Sequence, residues 1–522
     1  MRKKLILFAF LMSASICHAA DGILIKGGTV YDGSSNEPEK TDILIKDGKI
    51  LAIGKTFKGK LAKVARKSEV IDATGLVVAP GFIDPHSHVN NGLSKEKTKY
   101  GKGYLRMGVT TVLCGVCGTS PIPLSGQADK LTEKGSGLNV GYFVGLGSVR
   151  KTVIGAEDRE PSPAELERMK SLVREGMEWG AFGVSSGLIY NPGIFAKTEE
   201  LIALTEVASR YGGIYTTHMR SEAENILEAV DEALEVGRKT GADVNISHIK
   251  CMGSKTIGLS SEVISRIEKA RAAGMNVTAD QYPYSASSTT LKSTVIPAWA
   301  RGNTEKLNRL FNDPDTLEII KTAIRKKLAT ANGGANFVIS PIDKHEDIKN
   351  KSITRIAAEW GVSPEDAIIR ILRRSSPKIV NHSMREEDIR DFMVQPWVMT
   401  GTDGNETKTH PRSRGSYAKK IRKYVNEEHL ICLKDMIRRS TGLVADTYGI
   451  PKRGYIKEGY WADIIVFDAA GVRDNANFEG ASGYATGFRA VIVNGTPAVV
   501  NDECTGALAG RIIKMDNASK VR

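Results

Sequence analysis

Short segments in which apolar and polar residues alternate occupy both ends of the chain. They surround an Asp47-Gly48 pair near the start and an Asn494-Gly495 pair near the end. Such a pair between two alternating runs is a strong signal for a β-hairpin with a two-residue turn. The two ends are therefore predicted to form one small β-sandwich domain, with assigned residues 20–79 and 441–522.

Between these ends, apolar runs alternate with helical segments. Each of eight such runs ends in small or polar residues, and helical patterns separate them. Eight strand–helix units in succession predict an α/β fold, a (β/α)8 TIM-like barrel over residues 80–440, with a doubly wound sheet as the alternative. The runs are 76–88, 109–117, 139–147, 181–188, 213–218, 243–248, 276–284 and 397–403.

Two of the segments between strands carry clear helix signals. Ser162 followed by Pro163 predicts the N-cap and first turn of a helix that extends to residue 179. Residues 221–240 place apolar side chains on one face, and Glu222 lies in the predicted first turn. Both segments support the strand–helix alternation.

The segment between the seventh and eighth predicted strands, residues 285–396, is too long to be a loop. It contains helical stretches at 304–312 and 317–328. We interpret it as an insertion over the barrel mouth, where it would help to shape a substrate pocket.

Composition and charge narrow the classes of function. Of 522 residues, 41% are hydrophobic and 25% charged, which is ordinary for a globular protein. The net charge is +13, and its densest cluster, at 419–423, is interpreted as a solvated helix face, although a basic field also attracts anionic substrates. The sequence shows no nucleic-acid-binding motif and, after residue 20, no apolar stretch long enough to span a membrane.

The first nineteen residues have the parts of a secretory signal peptide. Positive residues at 2–4 precede an apolar run at 5–16, and Cys17-His18-Ala19 follows. Small residues at the end of this segment predict cleavage before Ala20 and export to the periplasm or the medium. A lipoprotein acylated at Cys17 is a weaker alternative, because Ile16 is large for the position before the cysteine.

Export bears on the cysteines. Six occur in the chain, and five remain once the signal peptide is removed. An odd number leaves at least one thiol unpaired in an oxidising compartment. A thiol held by a metal ion would account for the odd count.

Metal-binding residue types lie where the predicted strands end, which is where the chemistry of such barrels is located. The first run ends in His86-Ser87-His88, the fifth in His218, the sixth in His248 and the eighth in Asp403. One histidine in such a position is usually structural, but five coinciding placements predict a metal site. Nitrogen and carboxylate ligands, with thiols at the end of the second run, suit Zn²⁺ better than Mg²⁺ or Ca²⁺.

Asp403 has a second predicted role. Zn²⁺ lowers the pKa of bound water to roughly 7. A carboxylate beside that water can take its proton and deliver it to a leaving amine. Asp403 is the candidate for this general base and acid, and the alternative is a helix cap after the eighth strand. The pattern points to metal-dependent amide hydrolysis.

Several motifs of the chain resemble those of a known enzyme family. Pro80-Gly81-Phe82-Ile83-Asp84 followed by His86-x-His88 resembles the start of the amidohydrolase superfamily barrel. Further segments resemble the N-acyl-D-amino-acid deacylases (D-aminoacylases), in the same order over nearly the whole mature chain. They are 115–120, 187–193, 212–220, 246–250, 280–284, 410–412 and 505–511. The resemblance implies hydrolysis of N-acyl-D-amino acids to a carboxylic acid and a free D-amino acid.

The resemblance also implies a ligand set. One zinc is expected to be held tightly and a second metal position to be weaker. The tight set corresponds to Cys117, His218 and His248, and the weaker set to His86, His88 and Asp403. Cys117 would then be the metal-held thiol that explains the odd count.

A group that holds the α-carboxylate of a small-molecule substrate is implied as well. It corresponds to Lys250, Tyr282, Ser288 and Arg412. An arginine can grip a carboxylate with two parallel hydrogen bonds, and a lysine or a hydroxyl adds single ones. A carboxylate held there would place the amide against the metal site.

Some positions depart from this family. Val295 stands where acid-selective members resemble one another in having an arginine, and the nearest cation is Lys292. Val89-Asn90 stands where many relatives are acidic or aromatic, and Gly145-Leu146-Gly147 stands where relatives often have a histidine between the glycines. These departures leave the preferred side chain open and argue against an N-acyl-D-glutamate specialist.

The sequence leaves three alternative functions open. A dipeptidase acting on L-Xaa-D-Xaa is a close variant. A cyclic-amide hydrolase of the same superfamily is disfavoured, because Cys117 stands where many relatives use a carboxylated lysine and because such an enzyme needs no carboxylate clamp. A zinc-containing binding protein without activity would have no need of Asp403.

Overall fold

The computed structural model describes residues 21–340, 344–405, 410–479 and 481–516. The predicted signal peptide, residues 1–19, lies outside these ranges, so export stays a prediction. Within the described ranges, no helix combines the length and the apolar character that crossing a membrane requires.

Both chain ends contribute strands to one nine-stranded, largely antiparallel sheet. Val77–Pro80 from the first half pairs with Ile464–Phe467 from the second half. Both predicted hairpins are present, because the Asp47-Gly48 and Asn494-Gly495 pairs have positive φ at both residues, as a type I′ turn requires. The strands are Ile23–Val30, Glu39–Lys46, Lys49–Gly54, Glu69–Asp72, Val77–Pro80, Ile464–Phe467, Phe488–Val493, Thr496–Val500 and Glu503–Cys504.

The two faces of this sheet belong to different cores. Ile43 and Ile492 lie in an apolar cluster confined to the sheet, whereas Ile465 and Val491 belong to the large core of the rest of the molecule. This follows from the alternation of side chains along a strand. The first strand of the C-terminal half of the sheet begins at Ile464.

Eight parallel strands carry the candidate site. Neighbours in sequence are paired neighbours in space, and the third strand consists of two short pieces separated by Phe143. Ser87, after the first strand, forms a parallel bridge with Gly404, after the eighth, so the pairing returns to its start. The strands are Phe82–Asp84, Val109–Cys114, Asn139–Tyr142 with Val144–Gly145, Gly183–Gly187, Ile214–His218, Val244–Ile246, Val277–Gln281 and Val398–Thr400.

Each predicted apolar run contains one of these strands, but the first run divides between the two sheets. Val77–Pro80 pairs in the chain-end sheet, and Phe82–Asp84 begins the parallel set. Gly81 joins them where a Cβ atom would lie only 2.3 Å from the Thr110 side chain. The chain changes sheets where only glycine fits.

Helices follow most of the parallel strands. Ser162 caps Pro163–Trp179 with a capping box, as predicted. The other predicted helix is shorter than expected: it is Ile226–Thr240, and Glu222 lies in the preceding loop, where its carboxylate pairs with Lys250. The remaining helices outside the insertion are Gly59–Arg66, Asn90–Leu93, Lys102–Leu105, Ser125–Lys134, Leu146–Ile154, Thr198–Ser209, Ser260–Ala272, Arg412–Lys419, Leu433–Arg438 and Gly442–Tyr448, with a π-helical turn at Lys420–Glu427.

The segment between the last two parallel strands has its own antiparallel sheet, ordered Ser287–Thr290, Lys378–Asn381 and Phe337–Ile339, and its own apolar core. The helix predicted at 317–328 is longer, because Asp313 caps it and a proline occupies its first turn. The helices of this segment are Leu291–Val295, Thr304–Asn312, Pro314–Ala329, Ile353–Trp360, Pro364–Arg374 and Glu386–Met393.

Candidate metal centre

Six side chains from five parallel strands meet at one edge of the sheet. His86 and His88 follow the first strand, Cys117 the second, His248 the sixth and Asp403 the eighth, and His218 ends the fifth. The carboxyl ends of parallel strands share one edge, so residues far apart in sequence come together there. The structure brings together all six residues that the sequence nominated as ligands.

The Cys117 sulfur is the centre of the first group. Its Sγ lies 3.3 Å from His86 Nε2, 3.5 Å from His248 Nε2 and 3.7 Å from His218 Nδ1. Burial raises the pKa of this thiol, but the charge of His86 and the hydrogen bonds of the other two histidines outweigh it and hold the pKa of Cys117 well below its usual value. The group is a thiolate surrounded by imidazoles.

A second group lies beside the first and shares His86. Asp403 Oδ1 is 3.2 Å from His88 Nε2 and 3.8 Å from His86 Nε2. Although burial acts in the opposite direction, hydrogen bonds to Asp403 and Cys117 raise the pKa of His88 to about 9. His88 is the most open of these side chains, with 35% of its surface exposed.

Three of the six residues have a strained backbone. The φ angle is +52° at Cys117, +37° at His248 and +47° at Asp403, in the left-handed region that favours glycine. Each such conformation costs on the order of 1–3 kcal/mol and persists only where the surrounding structure holds it. The fold therefore holds these side chains in positions that a regular strand end would not give.

Glu222 is a member of the cluster that the sequence pattern did not reveal. Its carboxylate accepts a hydrogen bond from His248 Nδ1 at 2.9 Å, pairs with Lys250 and lies 3.7 Å from His218 Nε2. A carboxylate on the outer nitrogen of a ligand histidine fixes its tautomer and its orientation. The four-residue spacing from His218 was the available signal, but it equally fits one helical turn.

Asp280, on the seventh strand, supports the other side of the cluster. Its Oδ1 lies 3.6 Å from His86 Nδ1 and accepts the backbone N–H of His248 at 2.8 Å, and its Oδ2 accepts from Asn245 at 2.8 Å. Burial raises its pKa, but His86, His248 and the hydrogen bond from Asn245 together outweigh burial and lower the pKa of Asp280. Asp280 is therefore a charged support that holds two ligand-bearing segments in register.

The donor set fits a zinc ion. A thiolate, imidazole nitrogens and a carboxylate are ligands that Zn²⁺ takes in proteins. Three groups of ligand atoms each lie within 4.8 Å of one another: His86 with Cys117 and His248, His86 with His88 and Asp403, and His218 with Glu222 and His248. His86 Nε2, His218 Nδ1 and His248 Nε2 all face the buried Cys117 sulfur at 3.3–3.7 Å, an arrangement of lone-pair donors that one cation would hold together.

The four residues implied in carboxylate binding lie beside this cluster. Arg412 Nη1 is 2.7 Å from Asp403 Oδ2, and its guanidinium lies over the Tyr282 ring, 4.8 Å from the ring centre. The Lys250 ammonium is 5.7 Å from the same ring centre. Ser288 is half-buried, and its carbonyl accepts from Arg412 Nη2 at 3.4 Å. Two buried cations therefore meet at one tyrosine ring.

Two histidines to which sequence reasoning assigned no role lie near this group. His410 Nε2 donates to the carbonyl of Ala286 at 2.9 Å, and its Nδ1 accepts the backbone N–H of Arg412 at 3.1 Å. Burial holds the pKa of His410 well below its usual value, which agrees with this neutral form. His410 thus ties Arg412 to the insertion, whereas His382 packs on Phe478 with ring centres 4.9 Å apart.

Part of the cluster and one of the two cations, Lys250, open into a chamber of about 260 Å³, and Arg412 lies behind Asp403 at its wall. His218, Glu222 and Asp403 line its inner side, and hydroxyl-bearing residues of the insertion, among them Ser288 and Thr289, line its outer side. This size suits a small molecule rather than a polymer.

The family model and two curated relatives match nearly the whole chain. The model of the Amidohydrolase family matches residues 69–499. The D-aminoacylase of Alcaligenes xylosoxydans xylosoxydans is 32% identical over 516 residues, which cover 94% of this chain and 97% of that protein. The N-acyl-D-glutamate deacylase of the same organism is 32% identical over 518 residues, which cover 95% of this chain and 96% of that protein.

A solved structure agrees with these relatives. It is the N-acyl-D-glutamate deacylase from Bordetella bronchiseptica, complexed with zinc and a phosphonate inhibitor that mimics the tetrahedral intermediate of the reaction. The TM-score is 0.80 at 29% identity, with 95% of this chain and 100% of that chain covered. This chain therefore belongs to the amidohydrolase family and, within it, to the group of D-aminoacylases and N-acyl-D-amino-acid deacylases.

Proposed function

We propose that the protein is a zinc-dependent amidohydrolase that hydrolyses the linear amide bond of N-acyl-D-amino acids. It releases a carboxylic acid and a free D-amino acid. The observation that carries this proposal is the thiolate–imidazole cluster beside a chamber lined by Asp403 and Lys250, with Arg412 held against Asp403. The D-configuration rests on the relatives, which are named for that class of compound.

Cys117, His218 and His248 would hold one zinc tightly, because all three are buried and one is a thiolate. His86, His88 and Asp403 would form an adjacent and weaker position, since His88 is partly open to solvent. Zinc bound in such a site makes water more acidic and polarises a carbonyl group.

Asp403 is the residue that moves the proton. Burial raises its pKa, but Arg412 and the surrounding histidines outweigh burial and hold the pKa of Asp403 well below its usual value. The carboxylate is therefore charged near neutral pH. It can take a proton from the attacking water and return it to the amide nitrogen as the C–N bond breaks. The water's OH joins the acyl carbon, and its other hydrogen joins the amine.

Arg412 and Lys250 position the substrate by its α-carboxylate. A guanidinium fork matches a carboxylate with two hydrogen bonds, and the ammonium adds a second charge. The Arg412 guanidinium already contacts Asp403, so a carboxylate gripped by it lies close to the proton-transferring group. Fixing the amide in this way removes much of the entropic cost of bringing the reacting groups together.

We further infer that the eight parallel strands close as a (β/α)8 barrel and that the chain-end sheet forms a small sandwich domain against it. The return of the pairing through Ser87 and Gly404 supports the closed form. The assigned limits, 20–79 with 441–522 and 80–440 with an insertion at 285–396, stay predictions. Export is also a proposal, and N-terminal sequencing of protein recovered outside the cytoplasm tests it, with a start at Ala20 expected.

The alternatives differ in what they require of the chamber. A hydantoin offers no free α-carboxylate to the two cations, and a protein that only binds a metal does not require a charged Asp403. An L-Xaa-D-Xaa dipeptide offers the carboxylate but adds an ammonium on the acyl side.

One substrate panel tests the proposal. Zinc-loaded protein is given N-acetyl-D-amino acids, their L-enantiomers, L-Xaa-D-Xaa dipeptides and a hydantoin; free amine is measured for the linear amides, and the ring-opened carbamoyl product is measured by chromatography for the hydantoin. We expect release from the N-acetyl-D compounds. Release from the hydantoin alone, or from none of them, would overturn the proposed reaction.

A further inference from the structure

A second and larger cavity lies directly outside the chamber. We call it the outer groove; its volume is about 810 Å³, and Lys151, Tyr190, Lys292, Trp299, Arg301 and Lys306 line it. Tyr190, Ser293 and Arg301 line both cavities, so the groove begins where the chamber ends. A molecule that fills the chamber and extends past Arg301 enters the groove.

Arg301, at this junction, has no acidic partner among the described residues. Its Nε donates to the carbonyl of Ile296 at 2.7 Å, and its Nη1 donates to that of Ile189. Neighbouring Lys292 donates to the carbonyl of Gly302 at 2.6 Å. Burial lowers the pKa of Lys292, and the charge of Arg301 lowers it further. Partly buried cations without a carboxylate partner are uncommon, because their charge is not compensated.

The other charged residues of the groove do not compensate these cations. Lys306 adds a positive charge and donates to the carbonyl of Trp299 at 3.0 Å. Of the two acidic residues that line the groove, Glu157 is paired with Arg159 at 2.6 Å, which leaves Asp158. The groove is therefore positively charged next to the chamber, with an aromatic side chain at its rim.

We propose that the outer groove is a subsite for an anionic acyl group. Arg301 and Lys292 bind a carboxylate at the end of the acyl group that is remote from the amide. This inference rests on the proposed function and narrows it to dicarboxylic acyl groups such as succinyl. The α-carboxylate end of the substrate belongs to the inner cations, Arg412 and Lys250. The D-residue itself suits the smaller chamber.

The volume of the groove admits an acyl group as well as an amino-acid side chain. The charges of Arg301 and Lys292, rather than size, therefore define the subsite. The same charges disfavour a dipeptide, because its free ammonium would approach Arg301 and Lys292 without an acid to balance them.

The test compares four substrates of one series: N-succinyl-, N-pentanoyl- and N-acetyl-D-alanine, and L-Ala-D-Ala. N-acetyl-D-glutamate is added, so that the second carboxylate is also presented from the side chain. We expect kcat/KM for the succinyl compound to exceed that for the neutral pentanoyl compound by about tenfold or more, as a charge-assisted hydrogen bond gives.

Three variants locate the effect. Arg301→Gln and Lys292→Gln are each expected to lower the succinyl-to-pentanoyl ratio of kcat/KM by about fivefold to tenfold, mainly through KM. Arg309→Gln, an exposed arginine of the same insertion, is the matched control and should keep the ratio. Arg301 holds two backbone carbonyls and Lys292 holds one, so a fall in the ratio that is common to both variants reports the lost charge rather than one structural contact.

Each outcome decides one point. Equal rates on succinyl and pentanoyl substrates, or an unchanged ratio in both glutamine variants, overturn the anionic acyl subsite and leave the deacylase proposal standing. A preference for N-acetyl-D-glutamate over N-succinyl-D-alanine assigns the cations to the side chain and overturns the acyl assignment. Failure to hydrolyse any of the N-acyl-D compounds instead overturns the proposed function itself.

Discussion

The inner and outer sides of the chamber are built in different ways. The inner side consists of six residues at parallel strand ends, three of them with a left-handed backbone that the sheet holds in place. The outer side belongs to an insertion with its own sheet and its own apolar core, and it offers hydroxyls and cations rather than metal ligands. A unit with a separate core can vary without disturbing the strand ends.

This contrast leads to one general expectation. Substitutions on the inner side should change metal content and kcat, because those residues hold the metal and move the proton. Substitutions on the outer side should change KM and substrate preference. Four substitutions test this division between the two sides of the chamber, from the largest expected effect to the smallest.

Asp403→Asn is expected to lower kcat by about 10²–10⁴-fold while zinc is retained, because the amide cannot take the proton from water. Steady-state kinetics together with elemental analysis measure both quantities. Asp129→Asn, an exposed residue, is the control. A kcat within a few-fold of wild type would remove Asp403 from proton transfer.

Cys117→Ala is expected to abolish tight zinc binding, because the thiolate contacts three of the histidines. Wild type should retain roughly one zinc per chain after dialysis, as a structural thiolate site does, and the variant close to none. Cys114→Ala, also buried and at the end of the strand that precedes Cys117, should keep its zinc. Equal zinc content in both variants would refute the thiolate-centred site.

Glu222→Gln is expected to weaken zinc binding by about 10–100-fold, the usual cost of losing a carboxylate that orients ligand histidines. Competition with a chromogenic chelator measures the affinity. Glu224→Gln, two residues away and exposed, is the matched control. If the affinity did not change, Glu222 would act on Lys250 alone.

Ser288→Ala is expected to have the smallest effect, an increase in KM of about 2–10-fold with kcat nearly unchanged, because one hydroxyl contact with the substrate's α-carboxylate is lost while Arg412 and Lys250 remain. Kinetics on N-acetyl-D-amino acids measure the two constants separately. A large fall in kcat would mean that the insertion takes part in the chemistry, and the division between the two sides would fail.

The ligands on the inner side could be predicted because each carries a local signal. His218 and His248 end apolar runs, and in a parallel sheet such ends meet at one edge. Both hairpins could be predicted for a similar reason, since a two-residue turn such as Asp47-Gly48 has its own sequence signature.

The remaining residues depend on contacts between distant segments. The sequence pattern placed Glu222 in the first turn of a helix, but the helix begins later, at Ile226. The role of Glu222 depends on its contacts with Lys250 and His248, which come from another strand end. The position of Arg301 at the mouth of the chamber depends on the path of the insertion, for which the sequence has no local signal. The division of the first apolar run depends on the fit of Gly81 against Thr110.

The most direct test of the central claim is chiral analysis of the amino acid released from racemic N-acetyl substrate by the zinc-loaded protein. The account predicts release of the D-enantiomer in large excess, and almost none of either enantiomer from Asp403→Asn. Preferential release of the L-enantiomer by wild type would contradict it.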